Sequence, residues 1–124
     1  MTKVKQSSTN FENKQTLSNE CMEVYAANLI GGQWTLAIGC YLINGKLRFG
    51  ELKNKLPNIT ERMLTLQLRK LEENKLVKRT VYAEIPPRVE YELTESGRQL
   101  KPILQQLEKW GKNHQLFMQN HSHS

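Results

Sequence analysis

The stretch GELKNKLPNITERMLTLQLRKLEE, residues 50–73, decides how this chain is read. Gly50 to Leu56 predicts a short helix with Leu52 and Leu56 turned inward and Lys53 and Lys55 turned out. Pro57-Asn58 ends it, because proline has no N–H with which to continue the ladder. Thr60 then caps a second helix, with Glu61 in its first turn where the helix dipole favours an acid. On that helix Leu64, Leu68 and Leu71 share one side at i, i+4, i+7, while Arg62, Thr65, Leu66 and Arg69 project from the other. Two helices about a tight turn, the second with a basic outer face, form a helix-turn-helix pattern.

Working outward, Leu76 to Ala83 alternates, with Val77 and Val81 on one face and Lys78, Thr80 and Tyr82 on the other. Val89, Tyr91 and Leu93 form the apolar set of a second strand. The Glu84-Ile85-Pro86-Pro87-Arg88 link between them is too long for a two-residue turn. A hairpin placed after a helix-turn-helix is a wing. Thr94 is expected to cap a final helix carrying Leu100, Ile103, Leu104, Leu107 and Trp110, kinked at Pro102 and fraying from Asn113. Upstream, Ser18 or Asn19 caps a helix with Met22, Tyr25, Ala26, Leu29 and Ile30 at helical spacing, stopped by Gly31-Gly32. Gln33 to Ile43 is apolar almost all round and is expected at the centre of the domain. Asn44-Gly45 turns it into a short link, Lys46 to Phe49. The fold class is α+β, mainly α: a winged helix-turn-helix over residues 17–114, with flexible tails at 1–16 and 115–124.

The 124 residues suit one domain. No apolar run approaches the roughly 20 residues that span a bilayer, so no membrane segment is expected. Met1 to Gln15 lacks the apolar stretch of a secretory signal, and a cytoplasmic location is the expectation. Two cysteines cannot frame a disulfide-dependent fold. The formal charge is +6, and residues 44–82 hold ten basic and four acidic side chains, which accounts for all of it. Such a stretch is either a solubilising face or a surface for a polyanion, and the helix-turn-helix beneath it favours the latter.

The sequence also resembles the HxlR-type winged helix-turn-helix regulators, within the wider MarR-like group. The likeness runs from Cys21 to about His114 and is carried by several ordered motifs. These are Leu29-Ile30-Gly31-Gly32-Gln33-Trp34-Thr35-Leu36, Arg48-Phe49-Gly50-Glu51-Leu52, Leu56-Pro57-Asn58-Ile59-Thr60 and Leu68-Arg69-Lys70-Leu71-Glu72. Pro86-Pro87-Arg88-Val89-Glu90-Tyr91 and Trp110-Gly111 continue it. The resemblance implies a homodimeric transcription factor, a repressor by the habit of the family, acting on double-stranded DNA with a pseudo-palindromic operator. It implies dimerisation through the N- and C-terminal helices, here around residues 19–30 and 95–113. Two departures stand out: Met22 follows the N-terminal Cys where relatives commonly have Pro, and Leu66 replaces a position more often polar.

On this reading Arg62, Thr65 and Arg69 face base edges, since a guanidinium can donate two parallel hydrogen bonds to guanine N7 and O6. Thr60 lies at the N-terminal end of the same helix, and Leu66 either meets a thymine methyl or packs on a neighbouring helix. Lys46, Arg48, Lys53 and Lys55 suit phosphate contacts, which position without specifying. Lys78, Arg79 and Arg88 flank the wing, with Arg88 beside its tip and within reach of a minor groove.

Cys40, mid-helix among apolar residues, is expected in the core and inert. Cys21 begins a helix whose N–H dipoles favour a thiolate, against the opposing charges of Glu20 and Glu23. The resemblance implies a sensor of oxidants or electrophiles at Cys21, and a structural thiol is the alternative. His114, His121 and His123 lie in a tail without a fixed scaffold, so no metal is expected. No cofactor motif and no paired catalytic groups are recognisable, and an enzyme is not expected. The competing functions are a ligand-responsive regulator without thiol sensing and a winged helix that binds protein instead of DNA.

Overall fold

The computed structural model describes residues 20–122. The expected flexible segment 1–16, the caps Ser18 and Asn19, and His123 lie outside the described residues. The chain divides into two compact units, Met1–Gly32 and Gln33–Ser124. In the first, α1 spans Met22–Ile30, with Cys21 at its N-cap in extended backbone and Gly31 closing it by an N–H bond to the Ala27 carbonyl.

The second unit opens with α2, Gln33–Leu42, followed by β1, Leu47–Arg48, then α3, Phe49–Lys55, and α4, Glu61–Glu73. The wing strands are β2, Val77–Tyr82, and β3, Arg88–Leu93, and the chain closes through α5, Glu95–Arg98, and α6, Lys101–His121. Among the described residues the sheet has three strands in the order β1-β3-β2. The link from Lys46 to Phe49 is therefore partly a strand: Leu47 pairs with Tyr91 and Arg48 with Glu90, antiparallel. Two residues carry no alternation, so only the pairing across to β3 reveals it. Gly45 makes the preceding turn at φ 138°, a conformation that side chains disfavour.

The core lies where α2, α3, α4 and the sheet converge. Ile38, Leu52 and Leu64 have no exposed surface, and Leu68 and Leu71 join them from α4. The Thr60 side chain caps α4 by accepting from Met63 N at 3.0 Å. Lys75, with φ 63°, stops it, and the N–H groups of Lys75 and Leu76 return to the carbonyls of Glu72 and Leu71. This is a Schellman closure with lysine in glycine's usual place, and Leu76 supplies its buried apolar contact. Thr94 ties that end of α4 to α5: its hydroxyl donates to the Lys75 carbonyl at 2.6 Å and accepts from Gly97 N at 3.1 Å. A Cβ at residue 97 would collide with the Leu76 carbonyl oxygen, so only glycine lets α5 approach so closely.

Three expectations need correction. Helix α2 is not buried all round: Ile38 and Leu42 face the core, but Cys40 is exposed. Composition placed Cys40 inside, whereas its side of α2 meets only part of α6 and leaves an open groove beside it. The last helix is two helices rather than one kinked at Pro102, and Pro102 sits in the first turn of α6, where its missing N–H has no intrahelical partner to lose. Nor does the chain fray at Asn113, because α6 continues to His121. Rings at 110, 114, 117 and 121 stack along it, with centroids 4.9, 6.1 and 4.1 Å apart. Spacings of four, three and four residues bring consecutive side chains over one another on a helix, so apolar and imidazole faces cover each other.

Candidate nucleic-acid interface

The outer side of α4 is assembled by its inner one. With Leu64, Leu68 and Leu71 buried, Arg62, Leu66 and Arg69 are turned to solvent by helix geometry alone. Leu66 is 44% exposed, so packing against a neighbouring helix does not account for it. Thr65 is half-buried and its hydroxyl donates to the Glu61 carbonyl at 2.8 Å, which leaves its oxygen lone pairs as acceptors. The Thr60 oxygen accepts the cap bond, so its own hydroxyl hydrogen remains available. Gln67, half-buried on the flank of the helix, is occupied elsewhere: Thr35 Oγ1 donates to its Oε1 at 3.1 Å and ties α4 to α2.

The cations around α4 fall into two groups. Arg62, Arg69, Lys78 and Arg79 are exposed and form no ion pair with a described residue. Lys53 is half-buried on α3, and Arg48 is exposed at its N-cap, where its backbone N–H donates to Glu51 Oε1 at 2.8 Å. The Lys55 ammonium lies 5.6 Å from the centre of the Tyr41 ring. The second group is neutralised within the wing. Arg88 does not extend from the tip: its Nη2 is 3.4 Å from Glu84, its Nε 3.7 Å from Glu90, and its guanidinium 4.1 Å from the Tyr82 ring centre. Lys46 Nζ is 3.6 Å from the same Glu90. The ionisable Tyr82 phenol, and then the Glu90 carboxylate, hold the Lys46 ammonium above the ordinary lysine range. Glu90 thus offsets two cations, Arg88 on the wing and Lys46 before β1, and the uncompensated charge lies over α4 and β2.

Strand register sets what stands beside α4. Arg79 is directly opposite Tyr91, and Lys78 opposite Glu92. A notch of about 300 Å³ opens between helix and sheet, lined by Thr65, Leu68, Arg69, Glu72, Arg79 and Tyr91. The wing tip itself is apolar, with Ile85 fully exposed beside Pro86 and Pro87. Sequence reasoning missed the roles of Glu90, Tyr91 and Ile85. Alternation placed Tyr91 with the core, correctly for its ring, but the contacts of Glu90 depend on β1 and the hairpin, which no local pattern encodes.

Cys21 is half-buried and free at the N-cap of α1, and Cys40 is free and exposed on α2. Cys40 borders a groove of about 470 Å³ between α2 and α6, walled chiefly by Leu36, Ile43, Leu104 and Leu107. Among the described residues no three potential ligands gather as a metal site, and no helix is long and apolar enough to cross a membrane.

Comparison with known proteins places this geometry among similar chains. The model of the HxlR-like helix-turn-helix family matches residues 29–119. An HTH-type transcriptional regulator of Methanothermobacter thermautotrophicus is 49% identical over 100 residues, spanning 81% of this chain and 76% of that one. The HTH-type transcriptional regulator YtcD of Bacillus subtilis is 54% identical over 86 residues, 69% of this chain and 68% of its own. Among solved structures, the redox regulator HypR in its reduced form gives a TM-score of 0.74 at 44% identity, covering 78% of this chain and 96% of that chain. Its oxidised form gives 0.70 at 47%, covering 75% and 96%.

Proposed function

The chain belongs to the HxlR-like helix-turn-helix family of transcriptional regulators, and on that premise we propose that it is a homodimeric repressor that reads a pseudo-palindromic operator and answers to oxidants or electrophiles through Cys21. The observation that carries the DNA reading is the outer side of α4: Arg62, Leu66 and Arg69 exposed over a leucine-buried side, flanked by unpaired cations of the wing. Arg62, Thr65 and Leu66 read base edges in the major groove, and Thr60 holds a phosphate at the entry of the helix. Arg48, Lys53, Lys55, Lys78 and Arg79 hold the backbone. Arg88 reaches DNA only by giving up Glu84, Glu90 and Tyr82, so its first duty is to stiffen the wing. Homodimerisation is supported by α6, where Ile103, Leu107, Trp110 and Phe117 stand exposed along 21 residues of helix with no buried side chain. The protein works in the cytoplasm as a regulator and carries out no catalysis.

The deciding experiment measures binding to DNA upstream of its own coding sequence across a salt series. A steep fall in affinity with salt is expected, and weak binding indifferent to salt would instead indicate a protein-recognition module. Lys53→Ala should weaken operator and scrambled duplex alike and lower the salt slope by about 1. A loss confined to the operator would make Lys53 a base reader.

Cys21 occupies the N-cap of a helix whose first N–H groups need partners, with Glu23 opposing in the first turn. A peroxide would oxidise its thiol to a sulfenic acid, releasing water. A second thiol then condenses with that sulfenic acid, expelling a second water and leaving a disulfide. HypR is a redox regulator known in oxidised and reduced forms, and that similarity supports the reading. Cys21→Ser should bind DNA as the reduced protein does and stay unchanged under peroxide. A variant that still responds would remove Cys21 from the mechanism. A second reading, response to a non-covalent ligand, is favoured by the apolar groove between α2 and α6. Tight DNA binding indifferent to oxidation would bring it forward.

A further inference from the structure

Resting on the reading that α4 and the wing lie against DNA, we propose that the notch between them is a seat for one backbone phosphate, and that Arg69 serves this phosphate and not a base. Two periodicities bring the notch together. Thr65, Arg69 and Glu72 succeed one another at i, i+4, i+7 along one flank of α4, and Arg79 and Tyr91 face each other across β2 and β3. Arginines from two separate elements therefore line one polar space, and neither forms an ion pair with a described residue. Tyr91 is only 9% exposed, and its hydroxyl makes no hydrogen bond with a described residue. The Thr65 hydroxyl already donates to Glu61, so it offers an anion no donor without turning.

A compact anion with several acceptor oxygens satisfies this set, and a phosphodiester is the one a helix-turn-helix meets. Guanidinium forks match phosphate oxygens two at a time, and the phenol adds a neutral donor. Glu72, on the same wall, opposes a free anion and leaves the seat to a phosphate that the rest of the interface brings in. This divides the arginines of α4 by position. Arg62, about two turns nearer the N-terminus, is left to the bases, while Arg69 sets the distance of the helix from the backbone. Tyr91, read from sequence as core alone, becomes a positioning residue for DNA.

The test uses the duplex that the wild-type protein selects from a randomised pool, with a single methylphosphonate placed at each backbone position in turn. Arg69→Ala and Arg79→Ala should each weaken binding about tenfold and Tyr91→Phe several-fold, equally on selected and scrambled DNA. Tyr91→Phe keeps the ring, and an unchanged thermal midpoint separates its effect from lost packing. At one phosphate per half-site the methylphosphonate should weaken the wild type about tenfold and abolish the further losses from all three variants. Glu72→Gln should tighten binding to both duplexes. If the Arg69→Ala loss persists at every methylphosphonate position and alters sequence preference, Arg69 reads a base and the seat is wrong. A wild-type protein that binds no duplex overturns the DNA reading itself, and the seat with it.

Discussion

Leu68→Ala is expected to cost about 3–4 kcal/mol of folding stability, read as a lowered midpoint in urea unfolding. Leu68 is 1% exposed and lies between Leu64 and Leu71 on the buried side of α4. Truncation removes three carbons from water-excluded packing and leaves a cavity that neighbours on α2 and the sheet cannot close without moving backbone. Domains of this size hold about 5–15 kcal/mol in all, so the loss is a large share of the total. DNA binding should fall with it, because α4 takes its orientation from this side. Leu66→Ala, two residues away but 44% exposed, is the control: stability within about 0.5 kcal/mol of wild type, with any effect confined to DNA. Similar stability losses in the two variants would mean that the inner and outer sides of α4 are wrongly assigned.

Arg62→Ala is expected to lose about 1–3 kcal/mol on the preferred operator, roughly five- to 150-fold, and much less on scrambled DNA. The asymmetry is the point of the measurement. A bidentate contact to guanine discriminates between bases, whereas a phosphate contact weakens every sequence alike. Arg62 is exposed, forms no ion pair with a described residue, and sits in the first turn of α4, the end that recognition helices in general present to base edges. Equal losses on both duplexes would turn Arg62 into a backbone contact and move base reading to Thr65 and Leu66.

The helix-turn-helix was legible because its signals are local. Proline at 57, a threonine cap at 60 and leucines at 64, 68 and 71 each act within one or two turns of chain, and the structure carries all three. The winged helix-turn-helix class came from the alternation in 76–83 and 89–93, which the observed register of β2, Val77–Tyr82, with β3 matches. The errors are of another kind. Pro102 carries the same chemistry in a kink as at a helix start, and what decided between them was where Thr94 and Gly97 pack against the end of α4. Residues 113–121 hold their apolar side chains in one consecutive run, Leu116-Phe117-Met118, without a helical period, yet α6 continues through them with its rings stacked.

Sequence by itself determined the order of the helix-turn-helix and the two wing strands, the N-cap of α4, the side of it that is buried, and the concentration of all net positive charge in residues 44–82. These rest on period, propensity and composition, which act over a few residues. Only the tertiary structure decided that Leu47–Arg48 is a third strand, that Cys40 lies at an open groove, that Glu90 offsets Lys46 as well as Arg88, and that Arg69, Arg79 and Tyr91 border one notch. Each of these depends on a contact between residues at least ten positions apart, Lys46 with Glu90 in the case of the wing. A side chain's free or compensated charge, and its exposed or covered surface, depend on which distant element packs beside it, and that is settled by the whole core at once.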